Sequence, residues 1–231
     1  MSFIYQNAAP LGLVLGLIAA LPCLAGGPIV LAADPPPVVT ASARDWQGAY
    51  VGLGLGKPTG DNTFGRSDLD IWSAPADWSG TPLSVRAGYD WQRGRLVYGV
   101  ALDLAFGELT NPTQPSADVI CFIDCEIAVS DLKVLRGRVG VTSGRNLFYA
   151  TAGLARANAR FTALAGVAVI GEGSLNGWTA GIGIERRMSD HITLTGEYRH
   201  TDLGVLPLDC FETCQTAISF GTAEIGIAYR W

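Results

Sequence analysis

Two pairs of cysteines have a spacing that could support covalent or metal chemistry. Cys121 precedes Cys125 by four residues, as Cys210 precedes Cys214, and each first cysteine is followed by phenylalanine. Close pairs of this kind indicate an oxidising compartment, so we expect disulfides, although four cysteines allow three connectivities. A four-thiolate metal site is the alternative, but no histidine or further cysteine supports it. We therefore predict no metal and no cofactor.

Only two imidazoles, His191 and His200, could serve as a general base. A hydrolase would need that base within hydrogen-bond reach of a nucleophile. His191 falls in a predicted turn, and His200 has no convincing partner serine in the neighbouring sequence. We predict that the protein is not an enzyme. A lipid-modifying enzyme with His200 as its base is kept as the most distant alternative.

The elements that would position these residues are strands, because hydrophobicity alternates with a period of two from Trp46 onward. Within residues 83–92, large apolar side chains and one alanine take the odd positions, while Ser, Arg, Gly, Asp and Gln take the even ones. Such alternation is typical of strands with two different faces. Eight strands are predicted, at 46–56, 82–92, 95–107, 131–142, 147–156, 175–187, 191–200 and 220–231.

The lengths of strands and connections favour a membrane barrel. Each predicted strand has about ten residues or more, which is what a tilted strand needs to cross a bilayer core. Short turns alternate with long segments at 57–81, 108–130, 157–174 and 201–219, the layout of an up-and-down membrane barrel. A soluble barrel is the alternative, but the polar face is rich in Gly and Ala, which suits a narrow interior. The predicted fold is all-β: an eight-stranded antiparallel up-and-down transmembrane β-barrel.

If the polar face lines the barrel, ten charged side chains point inward, five of each sign. Buried charges must be paired, so we predict a salt-bridge network that fills the lumen. Eight strands leave room for little more than side chains, which disfavours an open pore. A narrow ion path lined by Arg136 and Arg138 is the alternative. The predicted network consists of Arg86, Asp90, Asp103, Arg136, Arg138, Glu185, Glu197, Arg199, Glu224 and Arg230.

Aromatic residues and loops indicate how the barrel would meet its surroundings. Trp46, Trp178 and other aromatic residues lie mainly toward strand ends, as in the interfacial girdles of membrane barrels. The segment 57–81 carries Trp72 and Trp78 among acidic residues. Loops with exposed aromatic residues suit a recognition surface. They suit protease-resistant loops without a ligand equally well.

The amino terminus and the overall charge indicate where the chain goes. Residues 1–33 contain the apolar run and small residues of a secretory signal peptide, followed by a Pro-rich linker at 34–45 and the barrel at 46–231. Because no Lys or Arg precedes Arg44, an uncleaved anchor or a misplaced start codon remains an alternative. The formal net charge of -5 and the lack of a dense basic run exclude a nucleic-acid partner.

Several segments carry a resemblance to a known family. Trp46-Gln-Gly-Ala-Tyr-Val-Gly-Leu-Gly-Leu-Gly56, Val85-Arg-Ala-Gly-Tyr-Asp90 and Leu135-Arg-Gly-Arg-Val-Gly140 resemble the small porin-like, opacity-protein and OmpA-type barrels of Gram-negative outer membranes. The resemblance covers about residues 46–231. It implies secretion through the inner membrane, an outer-membrane location among lipids, and insertion by the barrel-assembly machinery. Tyr229 and Trp231 would carry the signal for that machinery, although such proteins usually end in Phe.

These observations together lead to an expected function. We expect an integral outer-membrane barrel with a structural or surface-interaction role, like that of an adhesin or antigen. Its long loops would contact a surface ligand or host protein. A narrow ion or small-solute channel is the second alternative, ahead of the lipid-modifying enzyme.

Overall fold

The computed structural model describes residues 46–62, 64–66, 71–72, 76–113, 125–163, 168–208 and 214–231. The predicted signal peptide and linker lie outside the described residues. Among the residues described, no helix is long and apolar enough to cross a membrane.

Eight antiparallel strands form a closed ring in which each strand pairs with the next one along the chain. The ring closes where the first strand pairs with the last, from Tyr50 opposite Arg230 to Thr59 opposite Gly221. This topology confirms the predicted eight-stranded up-and-down barrel. The strands are β1 Gly48–Thr59, β2 Leu83–Arg93, β3 Leu96–Phe106, β4 Cys125–Ser143, β5 Asn146–Ala163, β6 Ala168–Arg187, β7 Ile192–Leu208 and β8 Cys214–Arg230.

Tight turns gather at one end of the barrel. The β2–β3 and β4–β5 hairpins have two-residue loops that begin with Gly94 and Gly144, whose φ angles are 58° and 59°. Glycine at this position with positive φ matches the hairpin turn that follows the natural twist of paired strands. The end of the chain lies at the same edge, because the Trp231 amide donates to the Ala49 carbonyl over 3.2 Å. We call this edge the turn end; in membrane barrels it faces the periplasm.

At the opposite end, the strands are longer than predicted. β4 begins at Cys125 instead of residue 131, and β7 ends at Leu208 instead of residue 200. β6 has 20 residues, whereas a bilayer crossing needs about 9–11. We call the surplus parts of β4 to β8 the extension: residues 125–132, 157–163, 168–175, 203–208 and 214–220. Short strands add to this end, at Asp61–Asn62, Phe64–Arg66, Ile71–Trp72, Ala76–Asp77 and Leu109–Thr113.

The two ends of the barrel have opposite polarity. Toward the turn end, large apolar side chains such as Leu53, Val100 and Ile182 point outward and are about half exposed or more. We call this surface the lipid-facing belt. In the extension, apolar residues such as Ile127, Phe161 and Leu206 are buried inside. Most of the outward side chains there are polar, with Val169 and Val205 as apolar exceptions. Apolar and polar residues still alternate in the extension, but here the apolar residues point inward. A sequence pattern that expects apolar residues to point outward, as in the belt, therefore assigned these segments to loops.

Irregularities in β4 and β7 lie at the boundary between the belt and the extension. Asp131 in β4 has a φ of 53°, and β7 shifts register between Asp202 and Val205 around Gly204. β-bulges of this kind redirect the side chains that follow. Trp78 also departs from its expected exposure. It is buried, its ring centroid lies 5.3 Å from that of Phe220, and its indole nitrogen donates to the Ser219 carbonyl over 3.1 Å.

Candidate functional site: the charged barrel interior

Alternation along the strands directs a balanced set of charges into the belt part of the barrel. The structure places all ten predicted side chains inside, each 8% exposed or less. They separate into two clusters at different heights. The cluster nearer the turn end, which we call the quartet, contains Asp90, Arg138, Glu185 and Arg230; the cluster above it, the sextet, contains Arg86, Asp103, Arg136, Glu197, Arg199 and Glu224.

In the quartet, two arginines and two carboxylates alternate around a closed circuit. Arg138 pairs with both oxygens of Asp90 and reaches Glu185 Oε2 over 2.9 Å. Arg230 contacts the same two carboxylates, Asp90 over 2.8 Å and Glu185 over 2.9 Å. Each charge therefore faces two opposite charges, which is the arrangement that buried ions require.

In the sextet, three arginines share three carboxylates. Asp103 accepts from Arg86 over 2.7 Å, from Arg136 over 2.9 Å and from Arg199 over 3.0 Å. Glu197 is 2.5 Å from Arg136. Glu224 lies 2.8 Å from Arg86 and also accepts from the Ser84 hydroxyl over 3.0 Å. Asp103 is thus the carboxylate that holds the sextet together.

The sequence-based prediction missed two interior tyrosines: Tyr50 packs on the arginines of the quartet, and Tyr149 connects the quartet to the sextet. Arg138 lies between the rings of Tyr50 and Tyr149, 4.7 and 5.3 Å from their centroids. The Tyr149 hydroxyl donates to Glu197 of the sextet over 2.8 Å. Gly88 and Gly183 make room for the rings, since a Cβ atom there would lie 2.6 and 2.5 Å from the Cζ atoms of Tyr50 and Tyr149.

Trp46 covers the quartet at the turn end. It is fully buried, in contrast to the interfacial position expected from its place at a strand end. Arg230 and Arg187 lie over its ring, 5.2 and 4.9 Å from the centroid, and Arg230 donates to its carbonyl over 3.0 Å. The reason is register, because Trp46 shares the face of Gly48, Tyr50 and Gly52. A bulky aromatic residue on the glycine-rich face is the signal that would have identified both Trp46 and Tyr50.

Side chains fill the interior over the part of the barrel that the structure describes. Cavities beside the quartet and the sextet have volumes of about 10 Å³ each, on the order of one water molecule. Above the sextet begins an apolar cluster that includes Leu132, Val134 and Phe220 and continues into the extension. Among the residues that the structure describes, paired charges occupy the lower layers and packed apolar side chains the upper one, so the interior lacks the open lumen of a diffusion pore.

The remaining predicted residues lie apart from this interior. His200 is exposed on the outer face, 5.5 Å from the Trp178 ring, and its neighbours across the sheet are Ala180 and Gly221. His191 lies in a turn, where its Nδ1 atom is 2.9 Å from the Arg230 carbonyl. Neither imidazole faces a nucleophile on the paired strands that the structure describes.

The carboxyl-terminal residues and the cysteines occupy opposite ends. Tyr229 and Trp231 are exposed at the turn end, with ring centroids 5.1 Å apart. Cys125 is buried at the start of β4. Cys121, Cys210 and the side chain of Cys214 lie outside the described residues, so the pairing of the cysteines stays a prediction.

Comparisons with known proteins agree with this architecture. A family model described as "Outer membrane protein beta-barrel domain" matches residues 24–230. The chain is 29% identical over 202 residues to the "25 kDa outer-membrane immunogenic protein" of Brucella canis, covering 85% of this chain and 84% of that protein. It is 26% identical over 237 residues to the "31 kDa outer-membrane immunogenic protein" of Brucella melitensis biotype 1, covering 94% and 98%. The crystal structure of the outer membrane protein OprG from Pseudomonas aeruginosa matches with a TM-score of 0.57 at 13% identity, covering 80% of this chain and 96% of that one.

Proposed function

Because this chain belongs to the outer membrane protein β-barrel domain family, we propose that it is a closed structural barrel that presents its extension to the cell exterior. There it contacts other macromolecules, as an adhesin or antigen does. The observation that carries this proposal is the filled interior. Ten paired charges and an apolar core close the barrel, which leaves its outer surfaces for function.

The extension supplies such a surface. Across β4, β5 and β6, outward polar side chains are joined in a row. Asn158 donates to Asp131 over 3.1 Å, Ser174 to Asn158 over 2.7 Å, and Arg160 to Glu172 over 3.2 Å. Together they line a polar hollow with a volume of about 420 Å³. A polar surface on continuous strands suits recognition of a sugar or protein, and the Brucella relatives are named as immunogenic proteins of the outer membrane.

The filled interior predicts that the protein does not conduct ions. The purified barrel, reconstituted in a planar lipid bilayer, should give no unitary currents, because the quartet and sextet occupy its full width. An open general-diffusion porin in the same bilayer is the positive control. Steady unitary currents that change when Arg136 or Arg138 is replaced by Met would instead favour the narrow channel.

The orientation of the barrel predicts which residues are accessible from outside the cell. Glu172→Cys in the extension should react with a membrane-impermeant maleimide on intact cells, since its side chain is 56% exposed. Arg93→Cys, at the turn end, is the matched control and should react only after the outer membrane is permeabilised. The unsubstituted protein measures the background from native cysteines. Labelling of Arg93→Cys alone on intact cells would show that the extension faces the periplasm.

Three further features belong to the proposal. Residues 1–33 act as a cleavable signal peptide and 34–45 as the linker to the barrel. The pairs Cys121/Cys125 and Cys210/Cys214 form disulfides at the outer end, where the compartment is oxidising. Tyr229 and Trp231 provide the carboxyl-terminal aromatic signal for the barrel-assembly machinery.

A further inference from the structure

A hollow interrupts the lipid-facing belt close to the turn end. It has a volume of about 820 Å³ and is lined by residues of β3 to β7. Its floor is formed by two small outward residues, Ala150 and Gly196, and its walls include Phe148, Ile182, Ile184 and Tyr198. The hollow is therefore an apolar groove that opens directly toward the membrane.

The groove exists because the residues of its floor, Ala150 and Gly196, are small. A Cβ atom built on Gly196 would have Ile184 Cγ2 as its nearest neighbour, 3.9 Å away, so a larger side chain has room there. Water is excluded from this depth of the membrane, and an unfilled apolar surface loses dispersion contacts. A flexible hydrocarbon chain can fill such a groove.

Two exposed arginines, Arg145 and Arg186, lie between the groove and the turn end, just beyond the residues that line it. Arg186 follows Ile184 by two residues on the same outward face and lies opposite Asn146 of β5. Arg145 is beside it, since its carbonyl accepts a hydrogen bond of 2.9 Å from the Arg187 amide. Neither Arg145 nor Arg186 forms an ion pair with a carboxylate among the described residues. Cations at this height meet lipid headgroups, while their aliphatic stems stay in the apolar layer.

We propose that this groove and its two arginines bind an acidic glycerophospholipid of the periplasmic leaflet. An acyl chain lies on Ala150 and Gly196 between the apolar walls, and the phosphate accepts hydrogen bonds from Arg186 and Arg145. The two guanidinium groups favour an acidic lipid over a zwitterionic one, because a zwitterionic headgroup carries a cation that they would repel. The turn end faces the periplasm in this family of barrels, which selects the leaflet.

Native mass spectrometry of the detergent-solubilised barrel tests the proposal directly. The probe is an equimolar mixture of phosphatidylglycerol and phosphatidylcholine with identical acyl chains. The barrel should retain phosphatidylglycerol preferentially. Arg186→Gln and Arg145→Gln should each reduce that preference by about fivefold, the effect of one basic residue near an anionic lipid surface. Gly196→Leu should reduce the retention of both lipids, because it fills the floor.

Matched controls separate a built site from general attraction. Arg156→Gln removes an exposed cation from the outer face above the belt, and Ala87→Leu enlarges an outward small residue on β2, away from the groove. Both should behave like the unsubstituted protein, and each variant should first show the heat-modifiable mobility of a folded barrel. Equal retention of the two lipids, or an equal loss with Arg156→Gln, would overturn the proposal. Dimer masses that disappear with Gly196→Leu would overturn it in favour of a second copy of this chain.

Discussion

Replacing Asp103 with asparagine is expected to reduce the free energy of unfolding by about 3–5 kcal/mol, the cost of breaking a buried ion cluster. Asp103 is 2% exposed and accepts from three arginines: Arg86, Arg136 and Arg199. Asparagine has nearly the same size, so no cavity forms and the loss is electrostatic. The change leaves three buried guanidinium groups with only two carboxylates, and the cavities beside them, about 10 Å³ each, hold at most about one water molecule.

The measurement is reversible urea unfolding of the barrel in lipid vesicles, followed by tryptophan fluorescence and by mobility on unheated gels. Glu172→Gln is the matched control, because it removes a carboxylate from the exposed pair with Arg160, whose side chain is 55% exposed. Exposed pairs contribute about 0–1 kcal/mol. If Asp103→Asn costs no more than Glu172→Gln, the sextet does not stabilise the barrel through its charges.

The second large effect concerns the position of the membrane on the barrel. Ile182→Arg should destabilise the protein by about 2–4 kcal/mol, because Ile182 lies midway along the belt part of β6 and an arginine at the bilayer midplane costs about that much. Its side chain is 67% exposed, so no packing inside the barrel is lost. The penalty comes from placing a cation in hydrocarbon.

Val169→Arg provides the comparison on the same strand. Val169 also points outward and is 52% exposed, but it belongs to the extension. There the new side chain would meet water, and the same urea titration should show a change near zero. Similar penalties at the two positions would contradict the division into belt and extension, since they would place both residues at the same depth.

The belt part of the fold could be predicted from the sequence because its strands contact lipid on one face and the polar barrel interior on the other. Apolar and polar residues therefore alternate strictly there. Residues 83–92 show this most clearly, and the structure has β2 at Leu83–Arg93. The hairpin at Gly94 was equally predictable, because its two-residue connection requires positive φ. The same alternation predicted which charged side chains point inward, since Arg86 and Asp90 occupy even positions between apolar residues at odd positions.

The extension could not be predicted in this way, because its apolar residues point inward whereas those of the belt point outward. Ile127, Val129, Phe161 and Leu206 are apolar and point inward, so a template of apolar-out strands rejects their segments. Bulges at Asp131 and Gly204 interrupt the count as well. Which arginine pairs with which carboxylate also lay beyond the sequence, because the partners come from strands far apart. Arg230 and Asp90, for example, are separated by 140 residues.

The exchange of faces between belt and extension means that the two ends of one sheet respond to different physical variables. Burial of apolar side chains holds the extension together, and that contribution weakens on cooling because of its heat-capacity signature. Pairs of charges sealed away from water fill the belt, so mobile ions in the medium screen them far less than they screen surface pairs. We therefore expect cooling to weaken the extension more than the belt. The ionic core within the membrane keeps its strength across the salt concentrations that the cell meets.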